Sequence, residues 1–121
     1  MHLTRYTDYA LRTLIYLGIN KGRSCTIPEI AERYQISKNH LMKIVHQLGR
    51  EGLIDTVRGR GGGLKLARPP QTVSVGEVVR LTEEDLNVVE CFDGTTNQCQ
   101  ISSACVLSSA IDNALAAFLD V

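Results

Sequence analysis

Three cysteines carry the most pointed chemistry in this chain. Cys91, Cys99 and Cys105 fall within fifteen residues, spaced C-x7-C-x5-C. Clustered thiolates select soft metals, either zinc or the iron of iron–sulfur clusters. A structural zinc site is usually built from short C-x2-4-C pairs completed by Cys or His. No such pair is present, and no His follows His46. Gaps of seven and five residues can wrap a larger inorganic core, and two of the thiols could also switch as a disulfide, leaving one spare. On spacing alone the cluster leads, while redox thiols, zinc and no site at all stay open. Cys25 stands apart and reads as a small core or surface residue. Catalysis would need a nucleophile–base pair or paired carboxylates in a pocket. None is apparent, because His40 and His46 lie on a basic helix face, and the chain is expected not to be an enzyme.

The second group is basic and rich in hydrogen-bond donors: Ser37, Lys38, Asn39, His40 and Lys43, followed by Arg58 and Arg60. Asn can pair bidentately with adenine, and Lys can reach guanine or phosphate. Residues at a helix N-terminus meet backbone donors and a dipole that favour phosphate. Taken singly, Lys38 and Lys43 could be plain solvated charges, and His40 could be satisfied locally at its helix end. Whole-chain charge supports the joint reading. Thirteen Lys/Arg and thirteen Asp/Glu cancel, yet residues 1–70 hold twelve of the basic and five of the acidic side chains, a net of +7. Residues 71–121 hold one basic and eight acidic side chains, a net of −7. Such asymmetry suggests a polyanion-binding part joined to a part with another task.

The elements that must position these residues follow from apolar periodicity. Tyr9 to Ile19 predicts a largely buried helix capped by Thr7 or Asp8 and ended by Asn20-Lys21-Gly22. Thr26-Ile27-Pro28-Glu29 forms a capping box opening a short helix that buries Ile27, Ile30 and Ala31 and ends near Arg33 or Tyr34. Ser37 caps a third helix with Leu41, Ile44, Val45 and Leu48 on one buried stripe and the basic residues opposite. Leu53–Val57 and Leu64–Leu66 read as strands joined by a tip, Arg58-Gly59-Arg60-Gly61-Gly62-Gly63, whose glycines permit positive φ. Pro69-Pro70 marks a linker, Ser74 caps a fourth helix from Val75, and a last helix runs from about Ala104 with Leu107, Ile111, Ala114, Leu115 and Phe118.

Helix, short turn, helix and ribbon is the order of a winged helix-turn-helix, whose second helix enters the major groove. The expected class is therefore mainly α with a small β-hairpin: a winged helix-turn-helix plus a C-terminal dimerisation helix. Residues 1–70 form the DNA-binding unit and 71–121 the cluster-binding loop and dimerisation helix. At 121 residues, 44% apolar and 21% charged, the chain suits one globular domain. Arg5, Asp8 and Arg12 interrupt any secretory segment, and no apolar run approaches a membrane span. A cytoplasmic protein is expected, with reduced thiols rather than a disulfide framework.

The stretches Leu3-Thr4-Arg5-Tyr6-Thr7-Asp8-Tyr9-Ala10-Leu11-Arg12, Ile36-Ser37-Lys38-Asn39-His40-Leu41-Met42-Lys43-Ile44-Val45, Val57-Arg58-Gly59-Arg60-Gly61-Gly62-Gly63-Leu64 and Gly76-Glu77-Val78-Val79-Arg80 together resemble the Rrf-type bacterial winged-helix regulators, and within them a nitric-oxide-sensitive branch. The resemblance covers nearly the whole chain. It implies a homodimeric repressor that carries one iron–sulfur cluster per subunit, 4Fe–4S or 2Fe–2S, and binds double-stranded operator DNA until nitric oxide attacks the iron. By motif position it makes Cys91, Cys99 and Cys105 the cysteine ligands and Asp8, from the other subunit, an oxygen ligand; locally, Asp8 reads as a carboxylate favoured by the helix dipole. A related branch concerned with iron–sulfur biogenesis has a His three residues after its last cysteine, where this chain has Ser108. The alternative within the same fold is a regulator answering to thiol redox or iron–sulfur status. Val121 falls earlier than the ends of family members, which either a short natural tail or a missing C-terminal part of the dimer helix would explain.

Overall fold

The first helix starts earlier than its apolar pattern. In the computed structural model, which describes residues 1–121, α1 spans Arg5–Ile19 and is capped by Thr4. The Thr7 N–H donates to the Thr4 hydroxyl at 3.3 Å. Neither expected cap serves: Thr7 is fully buried inside the first turn, and Asp8 turns its carboxylate to Arg12. A cap needs an extended backbone and a hydroxyl facing the free N–H groups, and Thr4 (φ −62°, ψ 156°) supplies both. Ala10, Leu14 and Leu17 form the buried stripe, while Ile15 and Ile19 are 56% and 76% exposed. This helix is amphipathic, not largely buried as expected.

Helix α2 (Ile27–Tyr34) opens with the expected capping box. Glu29 N–H donates to the Thr26 hydroxyl at 3.3 Å, and Thr26 N–H donates to Glu29 Oε2 at 3.0 Å. Ile27 is only half-buried, leaving Ile30 and Ala31 as the core residues of this helix. Glu29 also receives the Tyr16 hydroxyl at 3.0 Å and pairs with Arg23 at 2.7 Å. The Thr26 backbone bond, with help from Arg23 and Tyr16, holds its carboxyl down at about 2. A depressed carboxyl pKa contributes stability that is complete above the ordinary Glu value and is lost as pH falls toward 2. Glu29→Gln keeps the reach but removes the charge. It is expected to cost about 1 kcal/mol at neutral pH and nothing near pH 2; urea unfolding at several pH values measures the convergence of the two curves.

The α2–α3 connection turns at Gln35, in the left-handed region at φ 55°, with Ile36 N–H closing onto Ala31 O at 3.0 Å. Helix α3 (Lys38–Arg50) follows, capped by Ser37, which accepts the His40 N–H at 3.1 Å. Leu41, Ile44, Val45 and Leu48 are its buried residues. Strands β1 (Ile54–Val57) and β2 (Gly63–Leu66) pair antiparallel, with Ile54 opposite Leu66 and Val57 opposite Gly63. At their tip Gly59 (φ 95°) and Gly61 (φ 74°) adopt conformations that side chains resist. Buried Cys25 adds a short rung to the ribbon. Its N–H donates to Leu64 O at 2.9 Å and its carbonyl accepts the Leu64 N–H at 2.6 Å.

These elements form one compact unit, Thr4–Val73; Ser74–Val121 with Met1–Leu3 form another. In the latter, Ser74 caps α4 (Val75–Thr82) through Glu77 N–H at 2.9 Å. Helix α5 (Val106–Leu119) begins two residues later than expected, because Ser102–Ala104 make a 3-10 turn and Cys105 stands at the cap without a side-chain bond. The two helices meet where Gly76 lies against the backbone of Leu119, leaving no room for a Cβ, and Gly76 N–H donates to Val121 O at 2.9 Å.

Candidate nucleic-acid interface and cysteine loop

On α3 the stripe opposite the core is open to solvent. Lys38, Asn39, Met42, Lys43, His46 and Arg50 are all exposed, and Ser37 stands exposed at the helix start. Arg58 and Arg60 are exposed at the ribbon tip. No carboxylate lies within ion-pair distance of Lys38, Lys43, Arg58 or Arg60; the ion pairs Arg12–Asp8 and Arg23–Glu29 lie elsewhere. Uncommitted cations on an exposed helix face and on a glycine-rich ribbon can neutralise phosphates without first breaking internal pairs. Met42 adds an apolar contact of the kind that meets a thymine methyl.

His40 differs from its neighbours. It is half-buried, with the rings of both Tyr6 and Tyr9 of α1 against its imidazole, the centroids 5.8 and 5.2 Å away. Tyr6 also donates its hydroxyl to Gln47 Oε1 at 2.7 Å and to Lys43 O at 3.3 Å. The first two turns of α1 thus grip α3 at residues 40, 43 and 47. Neither tyrosine nor Gln47 stands out in the sequence as functional, because a contact between helices leaves no local pattern. The only trace is the Tyr6/Tyr9 spacing of three, which places both rings on one face.

The cysteine loop is ordered by its own side chains. Asp93 Oδ1 accepts the Thr95 N–H and hydroxyl at 2.9 and 2.6 Å, and Oδ2 accepts the Thr96 hydroxyl at 2.7 Å. These bonds, led by the Thr95 hydroxyl, hold the Asp93 carboxyl near 2. Glu90 accepts the Gln98 N–H at 2.6 Å, Asn97 Oδ1 accepts the Cys99 N–H at 2.9 Å, and Ser102 donates its hydroxyl to Cys99 O at 3.0 Å. Asp93 two residues before Thr95, and Asn97 two before Cys99, are side-chain-to-backbone turn signals that sequence reasoning passed over. Cys91, Cys99 and Cys105 are free and partly exposed, and this bonding passes through the backbone and polar side chains, not through sulfur.

Whether these residues suit a metal group is a question of donor chemistry. No three His, Cys, Asp or Glu side chains converge as a single metal ion requires. Three free thiols on one ordered loop suit a polynuclear iron–sulfur core, which spreads its ligands more widely. Asp8 lies in the other unit, on α1. Its two oxygens take Arg12 Nε at 3.1 Å and Nη2 at 2.8 Å, with both side chains nearly half exposed. An exposed pair of this spacing holds only about 0.3–0.5 kcal/mol, so Arg12 is a weak competitor for that carboxylate.

Residues 3–121 match the family described as Rrf2, iron-dependent transcriptional regulator. The chain belongs to the Rrf2 family. Over 122 residues it is 52% identical to the HTH-type transcriptional regulator NsrR of Bacillus subtilis (strain 168), covering 100% of this chain and 84% of that protein. The regulator of the same name from Bacillus licheniformis is 49% identical, with 100% and 85% covered. Among solved structures, the global cysteine regulator CymR of B. subtilis superposes with a TM-score of 0.80 at 24% identity, covering 99% of this chain and 90% of that one. T. potens IscR gives 0.74 at 22% identity, with 100% and 82% covered. The five helices and hairpin are therefore an Rrf2-type winged-helix fold. As an Rrf2-family protein the chain is a DNA-binding transcription regulator, not an enzyme. No helix is long and apolar enough to cross a membrane.

Proposed function

We propose that this Rrf2-family regulator is a cytoplasmic, homodimeric repressor that senses nitric oxide through an iron–sulfur cluster held by Cys91, Cys99 and Cys105, with Asp8 of a second copy as the fourth ligand. The observation that carries the reading is a loop bearing three free, partly exposed thiols in a chain half identical to regulators named NsrR. A cluster bound there supplies iron that reacts with nitric oxide.

The rest of the reading concerns what this chain's residues do. Lys38, Asn39 and Lys43 face the major groove, Ser37 presents its hydroxyl beside the α3 N-terminus to a phosphate, and Arg58 and Arg60 reach the flanking backbone or minor groove. Helix α5 meets its twin through Leu107, Ile111, Leu115 and Phe118. Its Leu107 and Phe118 are 64% and 41% exposed in the single chain. Pairing of two copies fixes the separation of two α3 helices, so the operator is a pseudo-palindrome with half-sites about one helical turn apart. Asp8, now paired with Arg12, would be the residue of the second copy that holds the cluster and would supply it an oxygen ligand. Asp8 paired with Arg12 and Asp8 committed to the cluster would be two states of α1, the difference that an effector needs.

The deciding experiment is anaerobic purification, with iron, sulfide and the visible spectrum recorded, followed by nitric oxide titration during operator binding. Brown protein that releases operator in step with bleaching is expected. Colourless protein that binds equally well and responds to diamide instead would overturn the cluster reading and favour thiol switching, which the three free cysteines could also perform.

A further inference from the structure

We propose that His40 is a positioning residue and not a base reader: its imidazole, in contact with both Tyr6 and Tyr9, is the joint through which α1 sets the placement of α3. The inference rests on the reading of α3 as the DNA-reading helix and adds to it the device that holds that helix in register. His40 sits within the row of DNA-facing residues by sequence, which is why it reads there as a base contact. Its surroundings differ from theirs. Lys38, Asn39, Met42 and Lys43 are exposed, whereas His40 is half-buried. The Tyr9 ring meets it edge-on at 70° and 5.2 Å, and the Tyr6 ring tilts across it at 41° and 5.8 Å. Aromatic contacts of this geometry fix ring orientation as well as burying area.

The joint has a second pin. Tyr6 bonds to Lys43 O and Gln47 Oε1, one and two turns further along α3 than His40. Two tyrosines on α1 therefore hold three successive turns of α3, and a rotation of α1 cannot leave α3 in place. Asp8 lies between them in the chain, and Arg12, which Asp8 holds, sets its guanidinium 5.9 Å from the centre of the Tyr9 ring. An event at Asp8 thus reaches His40 through one guanidinium and one ring.

The test uses the full chain purified without oxygen, an operator fragment bound by the unaltered protein, and unrelated DNA of equal length. His40→Phe keeps an aromatic ring but no hydrogen-bonding edge; it is expected to retain operator affinity and the preference at every base pair. His40→Ala and Tyr9→Leu should each lower the operator-over-unrelated ratio about three- to tenfold, the worth of an aromatic pair. The double variant should lose little more than either single one, because both break the same contact. The salt slope should not change, since no phosphate contact is lost. Thermal unfolding checks that each variant is folded, and Tyr9→Leu preserves apolar volume where an Ala might not. The proposal is overturned if His40→Phe falls as far as His40→Ala with relaxed preference at one base pair while Tyr9→Leu binds normally. These outcomes are read on resting protein. If nitric oxide fails to release the unaltered protein, the sensing reading falls and the His40 result still stands or falls by itself.

Discussion

Cys99→Ala is expected to abolish the visible absorption of anaerobically purified protein and its response to nitric oxide, while leaving the chain folded. The structure separates the two roles a residue could have here. What Cys99 contributes to the loop passes through its backbone: the N–H to Asn97 Oδ1 and the carbonyl from the Ser102 hydroxyl. Alanine keeps both. Only the thiolate is lost, and three sulfurs are the most this chain offers to a cluster, because Cys25 is buried on the ribbon of the other unit with its thiol pushed up by burial. Absorbance, iron and sulfide content and far-UV circular dichroism measure the outcome together. A brown Cys99→Ala protein with unchanged iron would remove this residue from the ligand set.

Leu107→Asp combined with Ala114→Asp is expected to convert the dimer to monomer and to weaken operator binding by about 10²–10⁴-fold, the range over which a second tethered site adds to the first. Both residues are exposed in the single chain, so two carboxylates there cost little to the fold of one copy. Facing their own duplicates across a two-fold axis, they would set four charges in an apolar seam. Sedimentation gives the mass and a half-site probe gives the residual affinity. Full dimerisation with unimpaired binding would move the dimer contact away from this face of α5.

The chain's local patterns carried most of the fold. A capping box at Thr26–Glu29, a stripe at Leu41, Ile44, Val45 and Leu48, and glycines between two short strands are each complete within a dozen residues. Their meaning does not depend on distant partners. The α1 start was misplaced because the apolar pattern begins at Tyr9, whereas Thr4, five residues before it, holds the cap geometry. The end of α2 near Tyr34 was placed correctly, but the left-handed turn at Gln35 that follows it left no signal, because the position carries neither Gly nor Asn. The exposure of Leu107 and Phe118 in the single chain agrees with the expectation of a dimerisation helix, whose apolar face has no neighbour within one copy.

From the amino-acid order alone came the winged-helix class, the basic set on α3 and the ribbon, and the three-cysteine loop, since each depends on residue type and spacing along one stretch. Tertiary structure decided which side chains meet across stretches. It set His40 against Tyr6 and Tyr9, Glu29 in reach of Tyr16 and Arg23, and Cys25 against Leu64. The physical reason is range: helical periods and caps arise from neighbours within about four residues, whereas a ring clasped by another helix depends on how two helices pack, which no window of one strand of sequence contains.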